Sequence, residues 1–181
     1  MPAPITAAEL ATALPHTLAA PKTDAPIATL CLRPGFGARS FPDSITMTRA
    51  HGIPGERWAT LPWLRLPDGS PDPRIQVSLL PSRVMDLVWQ DRSQPHPGDP
   101  IVADLDMSEA NLPVGTHIQA GTAILRVSDV PNNGCVKWKA RYGSDAMAWI
   151  VANPTLRLRG VLCEVIADGT VALTDRLQVL R

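Results

Sequence analysis

The sequence predicts a mostly-β fold with short helices: a closed β-barrel carrying its helices on the outside. Three observations point that way. Nineteen prolines in 181 residues cut the chain into short pieces and argue against a helical bundle. Apolar residues recur with period two in several stretches, most plainly Val161–Ile166. No βαβ alternation is evident, and there is no GxGxxG or Walker-type loop to suggest a doubly wound sheet.

The elements follow in chain order. Thr6 predicts the cap of a short helix around Ala7–Ala13, or residues 1–19 form a loosely attached tail. Residues 20–181 then make one domain. Ile27–Leu32 and Ile45–Arg49 read as strands, with the turn-rich Arg33-Pro34-Gly35-Phe36-Gly37 between them. Pro62–Arg74 is a loop, rich in Pro, Asp and Gly. Ile75–Leu80 is a strand, and Ser82 caps a helix running to about Gln90 with Val84, Leu87 and Val88 on one face. Ser93–Pro100 is a linker or turn. Pro100–Asp104, Thr116–Ile118 and Ala123–Val127 are strands around the turn Pro113-Val114-Gly115. Ser144 caps a helix over Asp145–Val151. At the end, Val161–Ile166 alternates, Asp168-Gly169 signals a hairpin turn, and Val171–Leu173 and Leu177–Leu180 continue the pattern.

Composition narrows the function classes. Hydrophobic residues make up 45% and charged residues 19%, a globular balance. Seventeen basic and seventeen acidic residues cancel, which argues against a general nucleic-acid binder. No apolar run reaches about 18 residues, so no membrane-spanning helix is expected. The first twenty residues lack the basic start and apolar run of a signal peptide. Three cysteines without a CxxC pair are neither a disulfide framework nor a zinc site, and a reducing cytoplasm is the simplest setting.

The thiols divide. Cys163 and Cys31 each keep period with apolar neighbours and read as small core residues. Cys135 lies in the cation-dense run PNNGCVKWKARYG. If Cys135–Arg141 is extended, Cys135, Lys137, Lys139 and Arg141 share one face, and Val136, Trp138, Ala140 and Tyr142 share the other. Cations at that spacing lower a thiol's pKa or hold an anion such as phosphate. Gly134 would let a ligand approach the backbone. The alternative is an edge strand whose lysines guard against aggregation. His16, His51, His96 and His117 show no metal-ligand spacing. Asp104, Asp106 and Glu109 read as solvated loop acids rather than a cation site.

The segment Gly134-Cys135-Val136-Lys137, followed by Arg141-Tyr142-Gly143, resembles the cysteine motif of the MOSC domain, named after the C-terminal domain of molybdenum-cofactor sulfurase. Other pieces fall in the same order. Ala20-Pro21-Lys22 with Ile27–Pro34 resembles an entry strand ending in Arg-Pro. Gly52-Ile53-Pro54-Gly55-Glu56-Arg57-Trp58 resembles Gly-x-x-Gly-Asp-Arg-Trp, with Glu56 where Asp is usual. Asp104–Asp106 through Asn111–Thr116 resembles the stretch before the cysteine in stand-alone bacterial members. Arg159–Val161 through Asp168–Val171 resembles a closing hairpin.

The resemblance implies a barrel like the pyruvate kinase barrel domain and a role in binding the molybdenum cofactor, carrying sulfur, or both. Cys135 would be the catalytic residue and metal ligand. Arg57, Lys137, Arg141 and Arg159 would balance the pterin phosphate. Asn132 and Asn133 fill the place where stand-alone members often have histidine. The resemblance further implies a molybdenum-dependent reductase component or sulfur carrier, served by an electron-donor or sulfur-donor protein and a small-molecule substrate. No pyridoxal phosphate chemistry is expected, because the desulfurase domain fused to some members would not fit in this length. The alternative is a non-catalytic barrel that binds a partner or small anion and has lost the cofactor.

Overall fold

A computed structural model describes residues 3–181, so Met1 and Pro2 of the expected tail lie outside the described residues. The chain starts with α1 (Ala7–Leu18), followed by β1 (Asp24–Leu30), β2 (Ser44–Met47), β3 (Val77–Pro81) and α2 (Ser82–Val88). Then come β4 (Ile101–Ala103), β5 (His117–Ala120), β6 (Ala123–Val127), α3 (Val136–Tyr142) and α4 (Ser144–Ala152). The chain ends with β7 (Val161–Ala167), β8 (Gly169–Ala172) and β9 (Arg176–Leu180).

Seven strands close a barrel in the order β1-β4-β3-β7-β6-β5-β9, and β2 pairs with β8 in a separate two-stranded sheet. The mostly-β barrel expected from the sequence is therefore present. Every barrel pair is antiparallel except β3 with β4, which run parallel and are joined through α2. This is the βαβ unit that the sequence did not predict. Its strands are apolar on both faces, so no alternation marks them. Leu79, Ile101 and Ala103 point into the barrel with Ile27, Ile118, Leu125, Cys163 and Leu177. Leu80 and Val102 point out, into a second core with Leu10, Val84, Val88, Trp138, Tyr142 and Trp149. All four helices supply this outer layer.

The start of the chain is a helix. Thr6 Oγ1 accepts from the Glu9 N–H while the Glu9 carboxylate accepts from the Thr6 N–H at 2.8 Å, a reciprocal pair that satisfies two otherwise free donors. Neither serine caps as predicted. Ser82 and Ser144 are the first residues of α2 and α4, and the cap positions fall on Pro81 and Gly143 without side-chain bonds. The chain passes from β3 directly into α2, and from α3 into α4 through Gly143 alone. Gly143 adopts φ +98°, which glycine tolerates.

The hairpin at Asp168-Gly169 is also corrected. After β7 the chain leaves the barrel, and β8 pairs with β2 rather than folding back on β7. Gly169 has another purpose: a Cβ there would lie 2.3 Å from the Ala123 nitrogen, so the residue lets the start of β6 approach.

The largest correction is at Cys135–Arg141, which is helical rather than extended. Trp138 and Tyr142, four residues apart, are both buried, and their rings meet edge to face with centroids 4.7 Å apart. Val136 and Ala140, expected on the dry face of a strand, are exposed. The alternation is real in the sequence, but the i, i+4 aromatic pair decides the period because only its burial builds the outer core.

Candidate functional site

Barrel register brings three loops together. Leu30 at the end of β1 pairs with Ile101 at the start of β4; Ile101 pairs with Leu79, which pairs with Val161 at the start of β7. The segments after Leu30, before Ile101 and before Val161 therefore leave the barrel side by side, with α3 packed beside them. They carry Arg33, Arg39, His96, Asp99 and Arg159.

Two ion pairs form the foundation. Arg33 grips Glu56 with a two-pronged fork, Nε to Oε1 at 3.1 Å and Nη2 to Oε2 at 3.0 Å, and Glu56 is buried. Arg159 Nη1 donates to Asp99 Oδ1 at 2.8 Å, and its guanidinium lies 4.8 Å from the Trp138 ring centroid. Asp99 is 3% exposed. Burial alone would push its pKa up, but the charge and hydrogen bond of Arg159 and the charge of Arg33 outweigh that and hold it below its ordinary value.

Among the described residues, two further guanidiniums have no carboxylate partner. Arg39 Nε and Arg141 Nη1 both donate to the His96 carbonyl oxygen, at 3.0 and 3.4 Å. Arg39 also donates to the carbonyls of Ala38 and Pro97. Lys137 Nζ sits 5.1 Å from the centroid of the exposed Phe36 ring. The His96 ring is buried between Phe41 and Trp89, edge to face with each, and its Nδ1 accepts from the Gly98 N–H at 3.1 Å. Burial pushes its pKa down to about 4; Asp99 opposes the shift, while Arg39, Arg159 and Arg141 reinforce it.

Cys135 stands at the N-cap of α3, exposed, with its carbonyl accepting from the Trp138 and Lys139 N–H groups. Cys31 and Cys163 are buried, as the sequence predicts. Burial raises their pKa to about 11 and about 12, with Arg39 and Arg33 moderating the shift at Cys31. The expected face of one thiol and three cations does not form. On a helix, positions two apart point in nearly opposite directions, about 200° around the axis. Lys137 therefore goes to Phe36, and Arg141 to His96. Gly134 serves packing rather than ligand approach, because a Cβ there would meet Met147 Sδ at 2.5 Å.

The remaining expected site residues are spread over this neighbourhood. Asn132 Nδ2 donates to the Arg159 carbonyl at 2.9 Å. Asn132, Asn133 and Arg159 line a cleft of about 230 Å³ that also holds Ser128, Asn153 and Arg157. Arg57 lies on a short 3-10 turn after Glu56, and its Nε is buried without a hydrogen-bond partner. The loop acids are engaged locally: Asp104 with Arg83, Asp106 with the Ser108 N–H, and Glu109 with Arg157. A second cleft, of about 410 Å³ beside Asn111 and Arg181, contains none of the expected residues. Among the described residues, no three His, Cys, Asp or Glu side chains group as metal ligands, and no helix is long and apolar enough to cross a membrane.

Sequence reasoning missed Arg39, His96 and Asp99. All three lie in Pro- and Gly-containing loops, and nothing in their spacing relates residue 39 to residue 96. The one available hint was Arg33-Pro34, read as part of an entry strand.

No protein-family model matches the chain, and no curated protein matches its sequence. Solved structures do. The chain is similar to the YuaD protein of Bacillus subtilis, with a TM-score of 0.63 at 18% identity, covering 86% of this chain and 95% of that one. It is similar to YiiM of Escherichia coli, with a TM-score of 0.58 at 19% identity over 87% of this chain and 70% of that one. YiiM of Geobacillus stearothermophilus gives 0.55 at 14% identity, over 87% and 75%. At these identities the likeness shows a shared barrel fold.

Proposed function

We propose that this chain is a MOSC-type barrel that binds the molybdenum cofactor through Cys135 and cations carried by the same helix, with sulfur transfer on the same thiol as its second use. One observation carries the reading: Cys135 is the exposed thiol of the three, and it caps the helix that carries Lys137, over the Phe36 ring, and Arg141, which reaches the His96 carbonyl. The donor set suits an anionic cofactor with affinity for thiolate. Among the described residues, Arg39, Lys137 and Arg141 have no carboxylate partner and the buried Trp138 Nε1 has no hydrogen-bond acceptor.

In this reading Cys135 would hold the metal, and Lys137 and Arg141 would balance the pterin phosphate. Arg159 acts from behind, because Asp99 already neutralises it; it keeps Trp138 and the Asn132 turn in place. Asn133, at the edge of the cleft, offers a donor and an acceptor to a small substrate. When bound, the cofactor would supply two-electron redox chemistry at the metal. As a sulfur carrier, the Cys135 thiolate would attack the outer sulfur of a donor protein's persulfide. A new S–S bond forms, the donor leaves as thiolate, and an acceptor's nucleophile later takes the outer sulfur and frees Cys135.

A second reading, a barrel that binds a small anion or a partner without the cofactor, is favoured by Asn132, whose amide is committed to the Arg159 carbonyl. Metal and pterin analysis of protein made in a molybdenum-replete host separates the two. Near-stoichiometric molybdenum and pterin, lost in Cys135→Ala, supports the cofactor reading. Absence of both, with no persulfide on Cys135 after incubation with a cysteine desulfurase, refutes it.

A further inference from the structure

We propose that Asn133 is a self-modification site: its side-chain amide is lost spontaneously to attack by the Gly134 nitrogen, and the acid left behind repels anions from the Cys135 thiol. Asn133 is exposed, in the irregular segment between β6 and α3, two residues before the cap of that helix. Among the described residues, neither its amide nor the Gly134 N–H makes a hydrogen bond. The other asparagines are each held back. Asn132 Nδ2 donates to the Arg159 carbonyl, and the residue after it carries a Cβ. Asn111 is buried, with Nδ2 shared between the carbonyls of Lys22 and Asp106. Asn153 Nδ2 donates to the Trp149 carbonyl, and Pro154 after it has no N–H to attack with. Asn133 alone combines exposure, a free amide and a following glycine.

The chemistry needs water and nothing else. The Gly134 main-chain nitrogen attacks Asn133 Cγ, the new C–N bond closes a cyclic imide, and the side-chain nitrogen leaves as ammonia with the Gly134 proton. Water then opens the imide. Attack at Cγ breaks the new bond and gives aspartate. Attack at the Asn133 main-chain carbonyl breaks the original peptide bond and gives isoaspartate, with the chain running on through Cγ. Nothing is oxidised or reduced. Glycine favours the attack because no Cβ stands beside its nitrogen, and the two groups meet without an encounter step. Either product carries a carboxylate where Asn133 was neutral. Residues 133 and 135 have Cα atoms at most about 7 Å apart, inside the Debye length of about 8 Å at physiological ionic strength, so the new charge is felt at the thiol. The site depends on Asn133 and Gly134 alone and stands whether or not Cys135 holds a cofactor.

Ageing the full chain at mildly alkaline pH and mapping its peptides tests the site. Asn133 should convert to aspartate and isoaspartate about tenfold or more faster than Asn132 in the same folded chain. Gly134→Ala should slow the conversion about tenfold. In that variant Met147 Sδ, 2.5 Å from the new Cβ, must swing aside, so Asn133→Gln, which leaves this packing alone and closes the ring poorly, is the second variant and should show no conversion. The charge is read at Cys135, the exposed thiol, by alkylation with iodoacetate, an anion, and iodoacetamide, its neutral analogue. The ratio of the two rates cancels any change in thiolate fraction. It should fall about two- to threefold in aged protein, as for a unit charge about 7 Å away in water. Fresh Asn133→Asp should show the same fall, and aged Asn133→Gln none. Equal conversion at Asn132 and Asn133, conversion only after unfolding, or an unchanged ratio in fully converted protein overturns the inference.

Discussion

Acid should weaken this fold well before its carboxylates titrate, and His96 is the reason. In the folded chain burial holds the ring neutral, with its pKa pushed down to about 4 from an ordinary 6.5. Asp99 pulls the other way, while Arg39, Arg159 and Arg141 help to keep the proton off. Between those two values the unfolded chain takes up a proton that the folded chain refuses. Stability is therefore full above about pH 6.5 and falls as pH drops toward 4. By pH 5 the loss amounts to about 2 kcal/mol, from about 1.4 kcal/mol per unit of pKa difference. Urea unfolding at pH 8 and pH 5 reads it as a midpoint lower by about 1 M at pH 5. The Asp99 carboxyl, held below its ordinary 3.8, gives its contribution unchanged across this window and loses it only at lower pH. His96→Asn keeps an acceptor for the Gly98 N–H but does not titrate. Its stability at pH 8 is lower, since it loses ring contacts with Phe41 and Trp89, but its change between pH 8 and pH 5 should be small. A wild-type midpoint that stays flat over that range, or an equal fall in both proteins, refutes the reasoning.

Three further outcomes are expected. A small alkylating agent should label Cys135 in the folded protein and reach Cys31 and Cys163, both 0% exposed, only after denaturation; labelling of the buried pair with Cys135 untouched would overturn the site assignment. Gly160→Ala should cost more than about 3 kcal/mol in thermal unfolding, because Gly160 sits at φ +85° with the Leu79 carbonyl oxygen 1.8 Å from where a Cβ would lie, and backbone cannot yield as a side chain can. Thr6→Ala should remove the cap of α1 and cost about 1 kcal/mol, read as a fall in Tm of about 3 °C; no change would mean that the buried Leu10 contacts alone hold the helix.

Much of the strand content was legible because a barrel strand with one wet face writes its burial into the sequence. Ala123–Val127 was read with its boundaries correct, and β7 and β9 announced themselves by alternation. The strands β3 and β4 were found, but not their parallel pairing, because strands covered on both faces carry no period that says which neighbour they take. Thr6 was recognisable as a cap because Glu9 completes a local motif. The stretch Cys135–Arg141 misled because seven residues fit either period, and only the outer core, formed by Leu80, Val102 and Trp149 from distant parts of the chain, makes burial of Trp138 and Tyr142 worth more than the alternation.

By itself, then, the sequence determined the fold class, the two buried thiols and the singularity of Cys135. These depend on composition and on neighbours a few residues away. Tertiary structure alone decided which cations meet. Arg39 and Arg141 are 102 positions apart in a chain of 181 residues. They converge because the end of β1 is paired with the start of β4 and α3 packs beside them, a register that hydrogen bonding around the closed barrel imposes and no local pattern encodes.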